Sequence, residues 1–134
     1  MEQVFLFLWQ LPQNLIGVIV CIITNPKIIT CNIGGKEYYY FLAQRLRGGW
    51  GVSLGNFMIF GYKPMTDSIK HENGHQKQSL YLGWLYLIII GIPSFFGSVL
   101  NILFHRNWTM RDIYDWYYGL LWERWADMLG GVKR

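Results

Sequence analysis

A long apolar run, residues 80–104, starts just beyond a turn that carries two histidines and a glutamate. This juxtaposition constrains the chain more than any other feature. A run of this length matches the ~20 apolar residues that cross a bilayer as a helix. Composition points the same way. Hydrophobic residues make up 52% and charged residues only 15%, against about 25% charged in ordinary soluble domains. Seven Trp, nine Tyr and eight Phe are many for one chain, and Trp and Tyr favour the membrane–water interface. The net charge of +4 comes from scattered basic residues, which argues against nucleic acid and for an anionic lipid surface. Cys21 lies inside an apolar stretch and Cys31 beyond it, which argues against a structural disulfide.

A chain of 134 residues is a single domain, 1–134. Residues 1–24 read as a first membrane helix. Within them, residues 4–24 are apolar apart from Gln10, Gln13 and Asn14 and carry no Lys or Arg. A signal peptide would need a basic leader and a small-residue cleavage site. Pro12 is placed to kink the helix, and its polar neighbours should face protein or water rather than lipid. Residues 25–63 read as a β-rich segment. Residues 28–33 and 36–42 are β-branched and aromatic, and Gly34-Gly35 between them signals a hairpin. Residues 51–60 read as a third extended segment, ended by Pro64. Met65-Thr66-Asp67-Ser68 offers N-caps for a helix over 66–104 that continues into the membrane. Residues 107–129 form a last helix, capped by Asn107 or Thr109 and stopped at Gly130-Gly131.

The turn before the apolar run is His71-Glu72-Asn73-Gly74-His75, an H-E-x-x-H motif. On a helix, positions i and i+4 share a face, so both imidazoles can point at one metal ion. Glu72 then lies beside the metal, placed to take a proton from water. Asn73-Gly74 also suits a plain polar turn. A glycine inside the motif equally lets another backbone approach closely. The second motif is Glu123-Arg124-Trp125-Ala126-Asp127. A hydrolytic zinc site needs three protein ligands and one open position. Glu123 supplies the third ligand, and Asp127, one turn on, can hold a ligand imidazole in its tautomer. His105 is the alternative third ligand, though beside Arg106 it suits lipid headgroups better.

H-E-x-G-H, an apolar segment and then E-x-x-A-D resembles the membrane-embedded gluzincin peptidases of the HtpX and CAAX-prenyl-protease type. The resemblance implies that His71, His75 and Glu123 bind zinc, that Glu72 is the general base and that Asp127 supports a His. It implies a zinc metallopeptidase acting on a peptide or membrane-protein substrate. The setting expected is a bacterial inner (cell) membrane. The basic residues between the first two apolar segments, Lys27 to Lys77, put the zinc face toward the cytoplasm.

Glu123 must lie on the same side as His71 and His75. Either the apolar run folds back at Gly91-Ile92-Pro93, or residues 107–129 return through the membrane. The return helix is preferred, since 18 residues climb about 27 Å. The expected fold is therefore integral to the membrane and mainly α, with about three membrane helices and a small β-hairpin or extended segment before the H-E-x-x-H helix. Gly51, Val52, Ser53 and Leu54 are candidates to bind an extended peptide along a strand edge, or simply to cover the site. A di-iron oxidase or desaturase would need more than the three His present. A small membrane scaffold with a vestigial motif is the non-enzymatic alternative.

Overall fold

A computed structural model describes all 134 residues. Helices α1 (Glu2–Trp9) and α2 (Leu11–Thr24) precede strands β1 (Lys27–Ile33), β2 (Lys36–Leu42), β3 (Gly51–Leu54) and β4 (Phe57–Phe60). Helix α3 (Thr66–Leu82) follows, then a 3-10 turn (Gly83–Leu85), a π-turn (Leu87–Gly91) and α4 (Ile92–Phe104). Helices α5 (Met110–Tyr118) and α6 (Leu121–Gly130) close the chain. The strands form one mixed sheet in the order β1-β2-β4-β3.

The hairpin expected around Gly34-Gly35 is present. β1 and β2 pair antiparallel from Lys27 opposite Leu42 to Ile33 opposite Lys36. Both glycines have positive φ, 59° and 83°, as a two-residue turn matched to strand twist requires. Residues 51–60 are not one extended segment. Gly55-Asn56 turns them into a second antiparallel hairpin, with Gly51 opposite Phe60, and β4 joins β2 in parallel. Alternation places Tyr38 and Tyr40 of β2 on the buried face, where they meet Met58, Phe60 and Ile69 of α3. Tyr40 meets Phe60 edge-on at 5.6 Å, a favoured aromatic geometry. The sheet is thereby fixed beneath α3.

The expectation of a mainly α, integral membrane chain with about three membrane helices is overturned. The fold is α/β, with six α-helices and a four-stranded sheet. One helical stretch, Leu87–Phe104, is long and apolar enough to cross a bilayer. The first expected span is broken. α1 and α2 meet at 87° and pass the same measure only together. The break is at Gln10, just before Pro12, and polar side chains explain it. Gln10 accepts a 2.6 Å hydrogen bond from the Ser79 hydroxyl, and Gln13 donates to Ser79 and to the Gly83 carbonyl. Asn14 accepts from the Asn56 N–H at 2.8 Å. Buried amides must find partners, and these partners lie on α3 and the β3–β4 turn, off the axis of a straight span.

The second expected helix, 66–104, is interrupted after Leu82, and its part long and apolar enough to cross a bilayer is Leu87–Phe104 rather than 80–104. Gly83 has φ +54°, a conformation that ends α3 where a residue with a Cβ would be strained. Paired indoles hold this corner: Trp9 donates to the Leu80 carbonyl and Trp84 to the Leu8 carbonyl. The third span, the 107–129 return helix, is two helices separated at Gly119-Leu120. The cap expected at Thr109 is present, accepting from the Asp112 N–H at 3.2 Å. α4 keeps Ile92, Phe95, Phe96, Ile102, Leu103 and Phe104 exposed.

Helix α6 crosses α3 at backbone contact. A Cβ on Gly74 would overlap the Ala126 carbonyl, and one on Gly130 would overlap the Lys70 carbonyl. Helix propensity alone would make Gly74→Ala favourable by about 1 kcal/mol. The overlap is with backbone, which cannot rotate away, and overpacking costs about 1–3 kcal/mol or more. Gly74→Ala should therefore destabilise the fold and weaken metal binding together. Denaturant unfolding and a metal-chelator competition check this, and a stabilised variant would contradict the crossing.

Candidate metal centre

The local reason for the site is the α3–α6 crossing. It carries Glu123, on the first turn of α6, against the face of α3 that holds His71 and His75. All three side chains are buried, and Glu123 is fully so at 0% exposure. His71 Nε2 lies 3.0 Å from Glu123 Oε2, His75 Nε2 lies 3.1 Å from the same oxygen, and the two Nε2 atoms are 3.1 Å apart. One ligand atom from each residue converges on a single point.

The outer nitrogens decide what this convergence means. His71 Nδ1 donates to Asp127 Oδ1 at 2.7 Å. His75 Nδ1 donates to Gln78 Oε1 at 2.7 Å. The Gln78 amide is oriented by its own donation to the Trp122 carbonyl at 2.8 Å. With both Nδ1 atoms protonated, both Nε2 atoms present lone pairs inward when the rings are neutral. Two lone pairs and a carboxylate oxygen then face one another in a buried space. That arrangement is costly unless a cation occupies it. The group can hold a metal ion, and its donor set of two imidazoles and one carboxylate leaves a coordination position open.

Without metal, a proton takes the cation's place. Burial alone would lower the His71 pKa, but the hydrogen bonds to Asp127 and Glu123 outweigh it and raise the value to about 9. Burial would raise the Glu123 carboxyl, yet bonding to His71 and His75 holds it well below the usual carboxylate range. Asp127 is pushed up by burial and pulled down further by His71 and Arg134, ending below its ordinary value.

Each sequence candidate has a place here. Glu72 is buried beside the cluster, and its Oε2 has no hydrogen-bond partner. Burial raises its pKa, partly offset by His75 and His71. Asp127 bridges His71 to Arg134, whose Nε donates to Oδ2 at 2.8 Å. β3 is one of the two edge strands, opposite β1. Gly51 is exposed, and a Cβ there would lie 3.3 Å from the Glu72 carboxylate. Val52 is half-buried, whereas Ser53 and Leu54 are buried. Ser53 donates to the Glu72 carbonyl at 2.7 Å, and its own carbonyl accepts from the Tyr86 hydroxyl. His105 stands apart, stacked on Trp108 at 3.7 Å.

Four contributors went unread. Gln78 sits at i+3 from His75, a spacing that does carry a signal. Ser94, Tyr118 and Arg134 carried none. Tyr118 packs edge-on against His71 at 4.9 Å, and Arg134 lies 3.6 Å over the Tyr118 ring. Ser94 donates a 2.5 Å hydrogen bond to Glu123 Oε1.

Compared with protein-family models, curated proteins and solved structures, the chain finds no match.

Metal binding must displace the proton on His71 Nε2. Below about 9 that proton is present, so affinity should rise with pH through the neutral range, about tenfold per unit, and level off above about 9. In the metal-free chain the sign reverses for stability. The raised His71 pKa stabilises the fold fully below 6.5 and is lost as pH rises through about 9. Chelator competition and unfolding at stepped pH measure both, and a flat affinity profile would exclude His71 as a ligand.

Proposed function

We propose that this chain is a zinc-dependent peptidase in which His71, His75 and Glu123 hold the metal and Glu72 is the general base. The observation that supports this most is the unpartnered Glu72 oxygen, buried beside three converging donor atoms. A buried carboxylate oxygen without a donor is costly, and such groups mark functional positions. Two nitrogens and one oxygen with an open position are the donor set of hydrolytic zinc. When bound, zinc would acidify a water and polarise a substrate carbonyl.

The chain's own residues then divide the work. Glu72, its pKa raised by burial, takes a proton from water and passes it to the leaving amine. Asp127 and Gln78 hold the two imidazoles in the ligating tautomer. Gly51, at the open end of edge strand β3, offers backbone to an extended peptide, and Val52 continues the edge. Ser53 and Leu54 support that edge from beneath rather than presenting a surface. The resemblance to gluzincin peptidases supports the same roles through two short motifs.

Lipid is the second partner in this reading. The exposed apolar side chains of α4, Phe95, Phe96, Ile102, Leu103 and Phe104 among them, support it, since exposed apolar surface of this kind marks interaction sites. This is one lipid-facing helix and not a three-helix bundle. The wild-type chain should float with phosphatidylglycerol–phosphatidylcholine vesicles. Phe95→Glu with Phe96→Glu should reduce flotation without altering metal content, and unchanged flotation would remove lipid from the account.

Glu72→Gln should retain the metal and lose hydrolysis of an unstructured peptide by about 10²–10⁴-fold. Metal analysis and peptide cleavage on the same sample test it. A variant that cleaves at the wild-type rate would end the general-base assignment, and wild-type protein with metal but no cleavage would end the peptidase reading.

A further inference from the structure

We infer that Ser94 is a positioning residue that keeps Glu123 a one-oxygen ligand and thereby preserves an open coordination position. The inference rests on the metal-centre reading. The two oxygens of Glu123 have separate duties. Oε2 lies 3.0 Å from His71 Nε2 and 3.1 Å from His75 Nε2. Oε1 points away from that convergence and accepts the Ser94 hydroxyl at 2.5 Å.

The division matters because denticity sets vacancy. Two imidazoles and one carboxylate oxygen leave a fourth position for water. If both oxygens of Glu123 turned inward, the ion would gain a fourth protein atom, and water would be a crowded fifth ligand rather than the fourth of a tetrahedral set. A hydrogen bond to a carboxylate is among the stronger kinds, and here it engages the oxygen that would otherwise rotate in. Glu123 is fully buried, so water does not compete for that oxygen. Glu123 pairs with His71 and His75 and with no Lys or Arg; the Tyr117 hydroxyl also lies against its carboxylate, and Ser94 is the side chain that engages Oε1 at 2.5 Å.

The fold places Ser94 by an unusual route. Gly83, with φ +54°, ends α3 ahead of the apolar run. The π-turn Leu87–Gly91 inserts a residue relative to α-helical winding, which rotates the following face. Pro93 sits in the first turn of α4, where a missing N–H costs nothing. Ser94 follows and presents its hydroxyl to Glu123.

Cobalt(II) substitution reads coordination number directly, without reference to activity. Wild type, Ser94→Thr and Ser94→Ala are loaded with cobalt(II) and compared by visible absorption, with circular dichroism confirming the fold. Wild type and Ser94→Thr should show the intense bands of a four-coordinate ion. Ser94→Ala should show them weakened by about half or more, as five-coordination develops. An unchanged Ser94→Ala spectrum overturns the inference, as does a folded Ser94→Ala that binds no cobalt, since Ser94 would then govern binding itself. Infrared difference spectra of wild type, with and without cobalt, give a measurement that depends on no variant. The bound carboxylate should show the wide band separation of one-oxygen ligation, and a narrow separation overturns the inference. If wild type takes up no cobalt at all, the metal-centre reading fails instead.

Discussion

The close approach of α6 to α3 is the constraint on which the rest of this structure depends. Glu123 and the two histidines come from segments about 50 residues apart in sequence. Nothing local joins them. They meet because Gly74 has no side chain where the Ala126 carbonyl sits, and Gly130 has none where the Lys70 carbonyl sits. Lys77 adds a hydrogen bond to the Leu129 carbonyl at 2.6 Å, tying the end of α6 to the same helix. Two glycines in contact with opposing backbone act as a spacer of minimum thickness. The fourth residue of H-E-x-G-H and the fourth of E-x-x-A-D are therefore one packing contact, and the donor atoms follow from it.

That contact brings together groups that repel or stay unsatisfied when left alone. Two imidazole lone pairs and a buried carboxylate are tolerable only with a positive charge among them. The surrounding residues each remove one freedom. Asp127, held by Arg134, fixes His71; Gln78, held by the Trp122 carbonyl, fixes His75; Ser94 fixes Glu123. The result is an arrangement that can hold either a proton or a metal ion, and the two would compete. The competition takes place at His71, whose proton the neighbouring carboxylates retain well into the alkaline range.

Parts of this were legible in sequence for physical reasons that act over short distances. A Gly-Gly pair between β-branched and aromatic runs specifies a hairpin turn, and β1–β2 formed in register around it. A histidine pair at i, i+4 shares a helical face, and His71 and His75 do so. Thr109 caps α5 through its hydroxyl. Gly55-Asn56 is a turn signal inside a short run that also reads as one strand, so the sequence leaves an edge strand and a covering hairpin both open for residues 51–60. Arg134 and Ser94 were illegible because their partners lie across the fold, and an isolated Ser or Arg carries no trace of where it points.

The largest departure, the loss of the three-helix membrane bundle, has a single origin. Hydropathy measures how much apolar surface a segment has, and it is blind to where a segment bends. Residues 1–24 contain three amides whose partners lie on α3 and the β3–β4 turn, so the helix breaks to reach them. Residues 80–104 contain Gly83, whose positive φ ends α3 early. Gly83 interrupts the helix ahead of the apolar stretch Leu87–Phe104, and Ser94 on that stretch reaches the carboxylate it holds.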